Sequence, residues 1–312
     1  MAAGPDLVVP ILRSGILARD FCDRVGFANV EAVFERCFYL RSGDDFVCIG
    51  EPDIGNGPIT LIANPGSLAT VGSVAGQAAL VCNERITIAN SVRFALDQSE
   101  LWRLFDWPVC PPLDCLTDTC AALALRVATD APREGLARCV IDECETAGSA
   151  PPLGRIARPR VALLERWVSG LLDGRSTPAI ASREAVRGLI GLGPGLTPSG
   201  DDLLIGALSA LDAVGESEAH AAMARAIIDV LPGLTTPLSA GFLRAAAAGH
   251  VGENLCKILS LIMTGDIDAA IALAGKVGHS SGWDMIAGIL TTLRIAAAHR
   301  RAAPAAHAVA FS

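Results

Sequence analysis

The 312 residues are 51% hydrophobic and 19% charged, which excludes wholesale disorder, and the length corresponds to about two domains at ~100–200 residues each. Thirty-three acidic residues against 25 basic ones leave a net charge of −8. That balance argues against a dedicated nucleic-acid binder, which normally presents a basic face.

Mean hydropathy is high, at +0.44. Even so, the longest uncharged stretch, Ile54–Asn83, is interrupted by Pro58, Pro65 and five glycines. It reads as strands and turns rather than a lipid-facing helix. Met1–Val9 lacks the basic start and long apolar run of a signal peptide. The expectation is a cytoplasmic protein with no membrane and no nucleic-acid partner. Its apolar excess suggests extra buried surface, as at an interface with other subunits or with copies of itself.

In chain order, residues 7–25 carry apolar residues at roughly helical spacing, with Gly15 as a weak point. Val30, Ala32 and Phe34 then alternate, and Phe38–Leu40 follow. Ser42-Gly43-Asp44-Asp45 is turn chemistry leading to Phe46–Ile49, which predicts a hairpin. Ile59–Ala63, Val71–Ala75, Ala79–Cys82 and Arg85–Ile88 are further strand candidates. Pro108–Pro112 marks a boundary.

Beyond it the period becomes helical. Helices are predicted over Leu116–Thr129, Arg133–Glu145, Arg160–Leu172, Ser182–Ile190, Asp201–Val214, Ser217–Leu231, Pro237–Ala248, Glu253–Thr264, Ile267–Ala274 and Gly282–Arg301. Ala147–Pro159 reads as a connector. The fold class is therefore α+β, with a β-rich N-terminal domain over 1–112 and an all-α C-terminal domain over 113–312.

None of the ten cysteines forms a C-x-x-C pair, and the closest spacings are five residues, which do not share a helix face. Zinc spacing is absent. The cysteines read as small, reduced core residues.

The most informative feature is an internal echo. Ser199–Leu208 (SGDDLLIGAL) and Ser281–Leu290 (SGWDMIAGIL) lie 82 residues apart and share Ser, Gly, Asp, Gly and Leu at equivalent places. In each, Ser is a good N-cap and the Asp three residues later completes a capping-box-like pair. Gly206 and Gly288 sit one turn further in, where glycine costs stability unless something packs closely. Two similar helices crossing near these glycines are expected. A third start, Thr235-Thr236-Pro237, places Thr at the cap and Pro at the first helical position.

Three loops thus end in hydroxyl-rich helix N-termini, which offer N–H groups and a positive dipole end to phosphate or carboxylate. Gly191–Gly200 is long and glycine-rich for a connector, yet it has neither the Walker nor the dinucleotide pattern. Asp202 and Asp284 are explicable by capping alone. Asp201 is not needed for the cap, so it would hold a cation, with Mg²⁺ carried by phosphate as one solution, or accept N–H groups from an amide or ureido substrate. No other cofactor is defined. His279 could bind an anion or shuttle a proton. Arg187 and Arg244 are candidates to neutralise a carboxylate, with surface ion pairing as the plainer alternative.

Gly191–Gly206 (GLGPGLTPSGDDLLIG), Thr235–Leu243 (TTPLSAGFL) and Gly278–Leu290 (GHSSGWDMIAGIL) resemble the signature blocks of the AllH-like family of bacteria. The resemblance is strong in the C-terminal half and weaker before it. It implies a subunit of an oxamate carbamoyltransferase-like enzyme, active in a complex, in which phosphate splits oxalurate to oxamate and carbamoyl phosphate. It carries no catalytic residues over, so the assignments rest on the loops. Asp201, Asp202 and His279 are the candidate catalytic residues. Gly193, Gly195, Thr197, Ser199, Gly200, Thr235, Thr236, Ser280, Ser281, Gly282, Asp284 and Arg244 are the candidate substrate-binding ones, and Asp201 is the candidate metal ligand. Two alternatives remain open: a non-catalytic assembly subunit, and a carboxylase-like enzyme using ATP or an acyl phosphate.

Overall fold

The computed structural model describes residues 7–68, 71–72, 74–82, 84–88, 92–103, 107–141, 152–175 and 178–302. The chain forms two compact units, one of residues 1–105 with 250–253 and the other of residues 106–249 with 254–312.

The first unit is a closed barrel. Its strands are β1 (Leu7–Gly15), β2 (Phe27–Val33), β3 (Cys37–Ser42), β4 (Asp45–Gly50), β5 (Thr60–Ala63), β6 (Ala78–Cys82), β7 (Arg85–Ile88), β8 (Val92–Ala95) and β9 (Glu100–Trp102). The order is β5-β4-β3-β2-β6-β7-β8-β1-β9, and a β5–β1 pairing closes eight strands on themselves. Closure removes the exposed edges that an open sheet would leave. β1 manages this by changing partners along its length. Leu7–Pro10 pair with β8 and Arg13–Gly15 with β9, both parallel. On its other side, Ile11–Ser14 pair antiparallel with β5 across a register shift.

Strict in–out alternation in β2 and β6 puts Ala28, Val30, Ala79 and Val81 inside. There they join Leu40, Val47, Ile86 and Phe94 in one core. The β3–β4 hairpin turns at Gly43-Asp44, as its sequence predicts, with Ser42 opposite Asp45 and Gly43 at φ +59°.

The leading helix is shorter than expected. Residues 7–15 are β1, and only Ile16–Arg24 form α1. The break is at Gly15, where an added Cβ would collide with the carbonyls of Gly57 and Pro58. The strand candidate Val71–Ala75 is turn or irregular at its described positions, while β8 and β9 had no counterpart in the sequence reading.

The second unit is helical, with α2 (Leu113–Asp130), α3 (Pro152–Leu172), α4 (Ala179–Arg187), α5 (Ser199–Ala213), α6 (Ser217–Val230), α7 (Pro237–Ala247), α8 (Glu253–Met263), α9 (Ile267–Ala274) and α10 (Ser281–Ala302). The helix expected over Arg133–Glu145 is reduced to a 3-10 turn at Ala137–Val140, and residues 142–145 lie outside the described ones. The supposed connector 147–159 is corrected too, because α3 begins at Pro152 and runs through Pro159. Its buried face of Gly154, Ala157, Val161 and Leu164 offsets the hydrogen bond that proline removes.

α5 is buried at every position but Asp212. A helix without an exposed polar face belongs at the centre of its domain, and α10 lies across it. No helix among the described residues is long and apolar enough to cross a membrane. No disulfide joins the nine described cysteines. Cys22, Cys48, Cys120 and Cys256 are buried, but Cys82 and Cys115 are exposed rather than in the core.

Candidate functional site

The sequence echo is a crossing. The space over Gly206 is filled by the Met285 carbonyl, and the space over Gly288 by the Leu203 carbonyl and the Ala207 amide. Each glycine therefore admits the backbone of the other helix, so the two axes approach closely.

The capping boxes are not formed. The cap of α5 is Pro198, in extended conformation, and Ser199 is already the first helical residue. Each Asp therefore stands one turn inside its helix, within reach of the other helix as well as of its own loop. Hydrogen bonding from Ser281, on α10, and from Thr197 acts on Asp202. Hydrogen bonding from the Leu136 N–H, from Ser199, on α5, and from Ser280 acts on Asp284. The serines and acids of the two repeats have exchanged partners. Leu136 N donates to Asp284 Oδ1 at 2.5 Å, and Gly135, at φ +83°, lets its segment lie against that carboxylate.

Asp201 ties the three loops. Its Oδ1 accepts the Gly191 N–H at 2.8 Å. Its Oδ2 accepts the Ser239 hydroxyl at 2.7 Å and the Thr235 hydroxyl. Thr236 caps α7 by accepting the Ser239 N–H at 3.1 Å, as its sequence predicts. Its own hydroxyl donates to the Leu196 carbonyl at 2.5 Å. Thr197 and Ser281 hydroxyls meet at 3.1 Å. The loops before α5, α7 and α10 are thereby one surface. Pro194, Gly195, Leu196 and His279 are exposed on it, and Thr197, Thr235, Thr236, Ser280 and Ser281 are half-buried.

The other candidates divide by burial. Ser199, Gly200, Asp201, Asp202, Gly282 and Asp284 lie beneath this surface. Gly200 and Gly282, candidate substrate-binding residues from the sequence, are closely packed. The Leu189 and Ala274 carbonyls occupy the space above them, and their N–H groups donate to Leu192 and Val277. Gly193, at φ +117°, lies against Ser199. Arg244 is in the last turn of α7, at the opposite end from the cap. Arg187 is exposed in the last turn of α4.

As for Asp201 as a metal ligand, both of its oxygens already accept protein donors. Among the described residues no three His, Cys, Asp or Glu side chains are placed to hold a metal ion. Ser239, Gly135 and Leu136 were missed from sequence. Ser239 has a local signal in the Thr-Thr-Pro-x-Ser cap, and the other two have none.

Burial sets the electrostatics. It pushes the Asp284 carboxyl up to about 6, against the pull of Leu136, Ser199 and Ser280. It pushes Asp202 well above the usual carboxylate range; Ser281 and Thr197 oppose this, and the neighbouring acids Asp284 and Asp201 add to it. Asp201 is raised by burial and drawn back by its three donors.

The unit is thus an α-helical domain whose paired central helices carry a hydroxyl-lined surface formed by three loops. Residues 189–293, which include all three loops, match the family described as oxamate carbamoyltransferase subunit AllH. Over that segment the chain is similar to this family. No curated protein and no solved structure matches the chain.

Proposed function

We propose that this chain is a subunit of an oxamate carbamoyltransferase-like enzyme, transferring a carbamoyl group between oxalurate or oxamate and phosphate, with its anion site at the three joined loops. One observation carries this reading: the family match encloses the loops before α5, α7 and α10, and side-chain bonds between them make a single hydroxyl-rich rim.

Thr197, Thr236, Ser280 and Ser281 would hold phosphate or carboxylate there, aided by the positive ends of three helices. His279, exposed at the edge, would supply a further donor. Asp201 would serve by fixing the loops, and Asp202 and Asp284 from beneath. Other subunits would complete the enzyme, as the family description of a subunit suggests. Should a cation accompany the phosphate, it would enter with the ligand.

The test is thermal stability of the full chain with phosphate, carbamoyl phosphate, oxalurate and ATP, with and without Mg²⁺. Saturation at about a hundred times the dissociation constant adds ~2.7 kcal/mol. Stabilisation by carbamoyl phosphate or oxalurate that disappears in Ser281→Ala with Thr197→Val supports the site. Stabilisation by none of them, alone or with the partner subunits, would point to a non-catalytic assembly role. Stabilisation by ATP alone would point to a nucleotide-using enzyme.

A further inference from the structure

The two central acids are sealed in. Asp202 is 2% exposed and Asp284 0%, and Oδ2 of each has no hydrogen-bond partner. An unpaired buried carboxylate oxygen is costly, and among the described residues no cation is one of the groups acting on Asp202 or Asp284. The charged groups acting on Asp202 are two further acids, Asp201 on its own helix and Asp284 on α10. The segment packed on Asp284 brings a backbone donor from Leu136, while its Arg138 turns to the Ala131 carbonyl. A neutral carboxylic acid relieves this arrangement, since it replaces a buried charge by an O–H donor.

The route outward is short. Ser281 and Thr197 lie near enough to the Asp202 carboxyl to draw it down against burial, and their hydroxyls hydrogen-bond to each other at 3.1 Å. Both residues are half-buried at the rim. We propose that Asp202 and Asp284 together retain a proton at neutral pH, and that Ser281 and Thr197 relay it between Asp202 and a group bound at the rim. Burial raises both acids in the direction this requires.

The relay rests on the carbamoyl-transfer reading for its use, and there it balances. A phosphate oxygen bonds to the ureido carbon of oxalurate and the bond from that carbon to the oxamate nitrogen breaks. The departing nitrogen takes a proton through the two hydroxyls, and the proton of hydrogen phosphate returns by the same route to the carboxylate. Asp202 touches no substrate in this scheme and acts through the hydroxyls, with Asp284 holding it neutral.

Infrared spectroscopy of the full chain without ligand tests the reservoir. A protonated-carboxyl C=O band is expected at pH 7, lost in Asp202→Asn and titrating at lower pH in Asp284→Asn. Its absence from the wild-type chain at pH 7 would overturn the proposal. Ser281→Ala removes a donor to the carboxylate and should raise the pH midpoint of the band; an unmoved midpoint would overturn the contact on which the relay depends. With partner subunits, oxalurate and phosphate, Asp202→Asn should lower kcat by about a hundredfold or more with KM little changed. Unchanged turnover would overturn the relay. A wild-type chain that shows the band but neither binds nor turns over these ligands sinks the carbamoyl-transfer reading instead, and leaves the reservoir standing.

Discussion

Gly206 and Gly288 hold equivalent places in two crossing helices, and each faces backbone of the other, Met285 in one case and Leu203 with Ala207 in the other. Close approach of this kind tolerates no side chain. Backbone cannot rotate aside as a flexible side chain can, so relief requires the helices to part.

Gly206→Ala and Gly288→Ala should each destabilise the chain by about 3 kcal/mol, the upper end of the usual overpacking cost. The double variant should cost less than the sum, because the first substitution already separates the helices. Urea unfolding measures all three. A loss below about 0.5 kcal/mol for either single variant would mean that the crossing is looser than the structure shows.

Asp201→Ala leaves the Thr235 and Ser239 hydroxyls and the Gly191 N–H without their shared acceptor. At about 1–3 kcal/mol for each buried group left unpaired, a loss of at least ~3 kcal/mol is expected. Hydrogen exchange should quicken first at Gly191 and at the start of α7. Exchange that quickens uniformly over the helical unit would instead show that Asp201 stabilises the whole rather than the loops.

The pH dependence has a definite sign. The Asp284 carboxyl rises from 3.8 unfolded to about 6 folded, so between these values the folded state binds more protons. Stability therefore falls as pH rises from about 4 through 6, by up to about 3 kcal/mol from this group. Asp202 acts in the same sense and extends the fall to higher pH. Asp284→Asn keeps an oxygen for the Leu136 N–H and should flatten the slope between pH 4 and 6. Urea midpoints across that range check it, and an unaltered slope would assign the titration elsewhere.

Thr236→Ala removes both the α7 cap and the bond to the Leu196 carbonyl. A loss of about 1 kcal/mol is expected from the cap alone, with an equal or larger weakening of anion binding at the rim. Thr236→Ser restores both bonds and should recover most of each. Failure of Ser to recover either would show that the methyl group, not the hydroxyl, matters there.

Periodicity made the helical unit legible where elements are long and one-sided. Ile267–Ala274 is a helix with the bounds its pattern gives, and Arg85–Ile88 is likewise a strand. Leu7–Gly15 misled because Leu7, Val8, Val9, Ile11 and Leu12 satisfy either period, and pairing with β5, β8 and β9 decides between them. Pro159 misled by suggesting a break that tertiary burial overrides. The loops and glycines of the candidate site were visible as motifs. The use of Asp201 was not, since its donors lie 10, 34 and 38 residues away. Nor was the exchange of partners between Asp202 and Asp284, because one residue's shift in where α5 starts turns a local cap into a contact between helices.

The crossing also sets an order of events during synthesis. α5 can find its mate only after another 82 residues have been made, which takes roughly 4–16 s at ~5–20 residues per second. For that interval the emerging chain carries an apolar helix with a bare glycine notch and unsatisfied acids at one end. Anything that stalls translation between the two repeats would prolong this state, and a chaperone that recognises exposed apolar helix would find its clearest target in Ser199–Ala213.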